Sequence, residues 1–240
     1  MARFRADDLR IERKPDTTHV TEADRAAEVL IRGGIQRARP GDAVLGEEFG
    51  TEGDGRRRWI VDPIDGTASY VRGLPIWATL IALEEDGELT VGVVSAPALH
   101  RRWYAACGEG AYANGEQIHV SAVSELGDAQ LCYSDLASWT KFRTTAAPMI
   151  DLLHAVWRTR GVGDFWQHML VAEGTADIAA EPIVNLWDLA ALLVIVEEAG
   201  GKFTTLEGVR TADGGSALSS NGILHAEVLA ALAEAAPLQA

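Results

Sequence analysis

The chain has 240 residues, 48% hydrophobic and 23% charged, enough to bury a large core in one or two domains. Its 35 Asp and Glu against 21 Lys and Arg give a formal charge of -14, which repels nucleic acid and anionic membrane surfaces. The only basic patch, Arg56-Arg57-Arg58, has no aromatic residues interleaved and reads as a solvated loop, so neither nucleic acid nor membrane is expected as a partner.

Met1 to Asp8 lacks the apolar core of a signal peptide, and no apolar run approaches the roughly 18 residues of a membrane span, so a cytoplasmic protein is expected. Thr21, Glu22 and Asp24, with apolar Ala23, Ala27, Leu30 and Ile31, predict a capped helix that carries Asp24 in its first turn and is weakened at Gly33-Gly34. Strands are predicted at Trp59–Val61, Ile76–Leu83 and Leu89–Ser95, the last two joined through Glu85-Asp86-Gly87. Short strands at Arg102–Ala106 and Ile118–Ser121 flank the turn signal Asn114-Gly115, so the first half reads as an antiparallel meander with helices on one side.

After about Glu125 strands alternate with helical segments: a strand at Ala129–Tyr133, then Pro148–Arg158, Asp164–Gly174, Asp177–Ala180 and Trp187–Ala199. Gly200-Gly201 closes the Trp187 helix, a strand follows at Lys202–Thr204, and His225–Ala235 makes an Ala-rich final helix. No flexible tether separates the halves, so residues 1–240 are expected to form one compact unit, 1–125 mainly antiparallel sheet with helices and 126–240 α/β. Cys107 and Cys132 are too few for a disulfide framework and too far apart for a zinc site, and both read as reduced thiols.

The chemistry concentrates in Asp62-Pro63-Ile64-Asp65-Gly66-Thr67, which follows the apolar run Trp59-Ile60-Val61. Hard divalent cations take carboxylate and carbonyl oxygens, and a strand that ends in Asp supplies them. Pro63 removes a backbone donor, Gly66 allows close approach to a ligand, and Thr67 offers a hydroxyl. Asp188 opens the run Leu189 to Val196, where a carboxylate needs a partner or a metal; taken alone it reads as a helix N-cap, and Glu47-Glu48 alone reads as a solvated loop pair.

Taken together, Lys14, Val20-Thr21-Glu22-Ala23-Asp24, Gly46-Glu47-Glu48, Trp59 to Thr67, Trp187-Asp188 and Glu198-Ala199-Gly200-Gly201 resemble the inositol monophosphatase superfamily along the whole chain. The resemblance implies the layered αβαβα sandwich of the inositol monophosphatase and fructose-1,6-bisphosphatase type, a homodimer, and a Mg²⁺-dependent phosphomonoesterase using two or three ions, with Mn²⁺ as a substitute. It assigns Glu47, Asp62 and the Ile64 carbonyl to a first metal and Asp62, Asp65 and Asp188 to a second, with Glu47 also near a weaker third ion. Asp65, Gly66 and Thr67 are assigned to the phosphate, and Thr67 with Asp24 to the attacking water, in an in-line displacement without a covalent intermediate.

Substrate choice rests on other positions. Glu181, seven residues before Asp188, falls where inositol phosphatases of this superfamily meet a substrate hydroxyl, and Asp164 where a substrate-facing helix begins; Asp164 alone also reads as that helix's N-cap. Two carboxylates suit a cationic alcohol through charge-assisted hydrogen bonds. Val93 to Leu99 with Arg101-Arg102-Trp103, Val171-Ala172-Glu173-Gly174 and Asp177 to Pro182 resemble the bacterial histidinol-phosphatase branch. L-histidinol phosphate is therefore the expected substrate, with inositol 1-phosphate or a broader range of sugar and nucleotide esters as the alternative. A binder of metal and phosphate that does not turn over is the competing class, and a degraded ligand set would have favoured it.

Two departures stand out. Relatives usually carry a further helix ahead of the lysine matched by Lys14, which Met1 to Asp8 cannot supply: either the start site is misassigned or the helix is absent, and its loss would uncover apolar surface. Ala68-Ser69-Tyr70 replaces a common polar residue, Asn and Phe. Of the six His, His19, His154 and the others show no ligand spacing; His168, one turn after Asp164, is placed to face the same cleft. Trp77 and Trp103 read as core or interface aromatics.

Overall fold

A computed structural model describes residues 1–13, 19–143 and 145–233; Lys14 lies outside the described residues. Short strands β1 (Ile11–Arg13) and β2 (His19–Thr21) pair antiparallel, and β2 leads into α1 (Glu22–Ala38). Thr21 and Asp24 cap this helix reciprocally, as the sequence predicts. α1 continues unbroken through Gly33 and Gly34, where the sequence predicts a weaker helix. The helix packs on β2 and on the strand of the Asp62 motif, and such tertiary contact outweighs the roughly 1 kcal/mol that each glycine costs.

The strands β3 (Ala43–Gly46), β4 (Gly50–Glu52), β5 (Arg57–Asp65), β6 (Ala78–Glu85), β7 (Glu88–Ala96), β8 (Arg101–Ala106), β9 (Gly110–Ala113) and β10 (Glu116–Ile118) make one sheet, in the order β10-β9-β8-β7-β6-β5-β3-β4. From β5 to β10 it is the expected meander, turning at Asp86-Gly87 and Asn114-Gly115. The corrections are at its ends. β3 lies parallel to β5, β9 adds a strand, and β10 starts before the expected Ile118 and ends there. Short α2 (Thr67–Val71) follows β5.

The second half contains β11 (Gln130–Tyr133), α3 (Leu136–Phe142), α4 (Ala147–Ala155), β12 (Arg158–Gly161), α5 (Asp164–Ala172), β13 (Ile178–Glu181), α6 (Leu186–Glu198), β14 (Lys202–Thr204), β15 (Ala217–Ser220) and α7 (His225–Leu232). Its sheet is ordered β12-β11-β13-β15-β14, parallel among β12, β11 and β13 and antiparallel beyond. The expected helix Pro148–Arg158 ends at Ala155 because Val156 turns extended and Arg158–Gly161 joins the edge of this sheet. α6 ends in a Schellman motif: Gly201 N–H reaches Val196 O and Gly200 N–H reaches Glu197 O, both at 2.9 Å, with Gly200 at φ 91°.

α1, the large sheet, the α5–α6 pair, the small sheet and α3, α4 and α7 stack as five layers, the expected αβαβα sandwich. Leu189 to Val196 are all buried because α6 lies between two sheets, and each large side chain there contributes about 1.5–3 kcal/mol. Trp77 and Trp103 are buried, as expected. Among the described residues no helix is long and apolar enough to cross a membrane.

Candidate active site

The Asp62 motif works through a break in its own strand. Asp62 pairs with Leu80 and Asp65 with Ala78, so three steps on β5 oppose two on β6. In a regular strand residues i and i+3 point to opposite faces; one extra residue turns them to the same side. Pro63, with no N–H to give the ladder, is where such a bulge costs least. Asp62 Oδ1 accepts the Ile64 N–H at 2.9 Å, and the Thr79 hydroxyl holds the Pro63 carbonyl at 2.8 Å. Gly66, at φ 78°, then turns the chain into α2.

Three longer helices bring their first turns to this bulge. In α1 Asp24 Oδ2 accepts the Thr21 N–H at 2.8 Å, and in α6 Asp188 Oδ2 accepts the Asn185 N–H at 2.8 Å and its side-chain amide at 3.1 Å. Each acid is the N3 residue of a capping box, which spends one carboxylate oxygen on the helix and aims the acid away from it. Asp188 is thus a cap partner and a site residue at once. At α5 the Phe165 N–H donates to Asp65 Oδ2 at 2.7 Å, tying the bulge to the second half of the chain.

Carboxylate oxygens of Asp62, Asp65 and Asp188 lie within 4.8 Å of one another. Burial, then the charges of Glu47, Asp65 and Asp188, holds the Asp62 carboxyl well above the usual range. Burial, then Asp164 and Asp188, does the same to Asp65. Desolvation raises Asp188 to about 7 against its Asn185 hydrogen bonds, with Glu47 and Glu181 adding to the rise. Among the described residues no cationic side chain is among these influences. A buried group of hard oxygen donors that repel one another fits a divalent cation such as Mg²⁺.

The other expected residues surround this cluster. Glu47 is outside the three-Asp set yet is the first charge acting on both Asp62 and Asp188. The Thr67 hydroxyl has one proton and two acceptors, Asp24 Oδ1 at 3.1 Å and the Ile64 carbonyl at 2.9 Å. Asp164 is not the N-cap of α5: that place belongs to Gly163, and Asp164 is the first helical residue at φ 52°, a conformation few side chains adopt. A Cβ on Gly66 would stand 3.1 Å from Asp164 Oδ2, so this carboxylate overhangs the turn that follows the bulge. Desolvation, then Glu181 and Asp188, raises Asp164 to about 7.

Glu181 ends β13 with its Oε2 3.5 Å from His168 Nε2. His168 is fully buried, its Nδ1 2.8 Å from the Ser219 hydroxyl, so it backs Glu181 instead of facing open space. Arg56, Arg57 and Arg58 pair with Asp86, Asp42 and Glu84, in keeping with the bland reading of that patch. Cys107 is exposed and Cys132 buried, both free.

Three participants escape the sequence reading. The Phe165 amide and the Asn185 cap carry no side-chain signal for a site. Glu28 is fully buried and could have been noticed from its spacing, one turn after Asp24 and one before Arg32.

A model of the inositol monophosphatase family matches residues 1–237. The chain is 54% identical over 238 residues to a histidinol-phosphatase of Streptomyces coelicolor, covering 95% of this chain and 89% of that one. It is 56% identical over 237 residues to a histidinol-phosphatase of Mycobacterium tuberculosis, covering 96% and 90%. The solved structure of a Thermotoga maritima IMPase aligns with a TM-score of 0.86 at 35% identity, over 97% of this chain and 89% of that chain. Fold, buried acid cluster and sequence agree: the chain belongs to the inositol monophosphatase family.

Proposed function

We propose that this chain is a Mg²⁺-dependent phosphomonoesterase that hydrolyses L-histidinol phosphate to L-histidinol and phosphate. The observation that carries the choice of alcohol is a second carboxylate pair, Asp164 and Glu181, set against the Asp62, Asp65 and Asp188 cluster. An amine and an imidazole suit that pair, whereas a polyol gives two acids no charge to meet. Two relatives more than half identical, each named histidinol-phosphatase, support the same reading.

In this reading Glu47, Asp62 and the Ile64 carbonyl hold one ion, and Asp62, Asp65 and Asp188 a second. Bound there, divalent cations would neutralise the phosphate and acidify the attacking water. Thr67 and Asp24 orient that water: when the Thr67 hydroxyl donates its hydrogen bond to Asp24, its oxygen is left to accept a hydrogen bond from water and the Ile64 carbonyl is left to face the site. Gly66 and Thr67 line the phosphate end, and Asp164 and Glu181 bind the cationic end.

The test is phosphate release measured in parallel on L-histidinol phosphate, myo-inositol 1-phosphate and an adenosine bisphosphate, with and without Mg²⁺. A preference of at least about tenfold in kcat/KM for the first ester is expected, the scale of a charge-assisted hydrogen bond. Equal rates would refute the narrow assignment, and no release in Mg²⁺ would refute the enzyme.

A further inference from the structure

Glu47 stands apart from the three-Asp cluster, on the segment between β3 and β4, so what fixes that segment fixes how closely Glu47 approaches the site. Before Glu47 the backbone is anchored in the sheet, and the Glu47 N–H itself continues the ladder to Val61 O at 3.2 Å. After it, a buried side chain takes the next two amides. Glu28 Oε2 accepts the Glu48 N–H at 2.8 Å and Oε1 accepts the Phe49 N–H at 3.3 Å.

The rest of the surroundings serve that carboxylate. Arg32 Nε donates to Glu28 Oε1 at 2.7 Å, and the same guanidinium reaches the Gly50 carbonyl and, at 3.5 Å, the Val44 carbonyl, on either side of Glu47. Gly46 leaves the space: a Cβ there would stand 2.0 Å from Glu28 Oε1. Glu28 is fully buried, where charge-assisted hydrogen bonds are strong and their loss is costly.

We propose that Glu28 is a positioning residue for the metal site, clamping the Glu48 and Phe49 amides so that Glu47 is held toward Asp62 and Asp188. The inference rests on reading Glu47 as a metal ligand. It also links Glu47 to Asp24, because Glu28 and Asp24 sit one turn apart on α1 and the clamp holds one group in register with the other. Outer residues that orient a ligand in this way typically change metal affinity by about 10–100-fold when replaced.

The test is Mn²⁺ binding to the metal-free full-length protein, followed by the electron paramagnetic resonance of free Mn²⁺ well below each variant's Tm. Glu28→Gln keeps the size and loses the charge; it should weaken Mn²⁺ by about 10–100-fold and raise the Mg²⁺ needed for half-maximal phosphate release by a similar factor, with KM for the ester at saturating metal unchanged. In a Glu47→Gln background, Glu28→Gln should weaken Mn²⁺ no further, since its effect passes through Glu47. A folded Glu28→Gln protein with a lowered Tm and wild-type Mn²⁺ affinity overturns the proposal, leaving Glu28 a purely structural ion pair with Arg32.

If Glu28→Gln does not fold, Arg32→Lys probes the same clamp. It keeps a cation beside Glu28 but loses the planar fork that spans Glu28 and the Gly50 carbonyl. Weakened Mn²⁺ binding in that variant supports the clamp, and unchanged binding overturns it. Wild-type protein that binds no Mn²⁺ refutes the proposed metal site itself, and this inference with it; wild type that binds while both variants bind equally well refutes the clamp alone.

Discussion

Gly92 lies in the middle of β7, between Ala82 of β6 and Ala105 of β8, and Ala111 of β9 continues the row. These small residues make a trough across the large sheet in which α6 lies. A Cβ on Gly92 would stand 2.3 Å from the Ala191 carbonyl oxygen, 3.1 Å from its carbon and 3.2 Å from its Cα. Ordinary contact needs about 1 Å more, and the obstacle is helix backbone between two sheets, so no rotamer can relieve it. Overpacking of this kind costs about 1–3 kcal/mol, and Gly92→Ala should fall at the upper end.

For a chain of this size that cost corresponds to a Tm lower by about 5–12 °C, read by circular dichroism. Asp188 is one turn before Ala191 on α6, so a displaced helix should also weaken divalent-metal binding. Gly34→Ala is the control with the opposite sign. Gly34 is inside α1 with nothing within 4 Å of an added Cβ, and Ala there should raise stability by about 0.5–1 kcal/mol. A Gly92→Ala protein melting within about 2 °C of wild type would refute the account of α6 seated against bare backbone.

Asp62→Asn should lower phosphate release by more than about 100-fold, beyond the range for residues that only support a ligand, yet stabilise the metal-free protein by removing a charge that burial and its neighbours disfavour; wild-type turnover in Mg²⁺ sinks the assignment. Asp164→Asn and Glu181→Gln should each raise KM for L-histidinol phosphate by about tenfold or more and leave KM for a neutral phosphate ester unchanged, whereas equal effects on both esters would show that neither acid reads the cation. pH supplies the last test. Asp164 and Asp188, raised to about 7, favour the fold most below about pH 4, and that contribution is lost as pH rises through 7 in metal-free protein. His225, pushed down to about 4 by burial with Lys202 adding to it, favours the fold above pH 6.5 and loses that contribution as pH falls. Its effect cancels in the difference between Tm with and without Mg²⁺, which should grow from pH 5 to pH 8; a difference that shrinks over that range contradicts the buried acid cluster.

The features legible in the sequence are those whose cause is local. Thr21 and Asp24 cap α1 because a helix needs an acceptor three residues on, and Gly200-Gly201 ends α6 because αL suits glycine. Apolar runs on either side of the Glu85-Asp86-Gly87 turn marked β6 and β7, and Asp62 to Thr67 marked the candidate site before any partner was placed. The errors share the opposite cause. β12 reads Arg-Thr-Arg-Gly and β15 Ala-Leu-Ser-Ser, strands that exist because a neighbour offers a ladder.

The carboxylates themselves, their order along the chain and the turn chemistry around them were thus legible in sequence, since capping and chain reversal involve residues within four positions of each other, whereas the bulge at Asp62–Asp65 needs the partner strand β6. Only the tertiary structure set three helix first turns around one bulge, brought the Phe165 amide to Asp65 across a hundred residues, and placed buried Glu28 behind the Glu47 segment with bare Gly46 giving it room. Those contacts depend on sheet order and interlayer spacing, and no short-range pattern of residues encodes either.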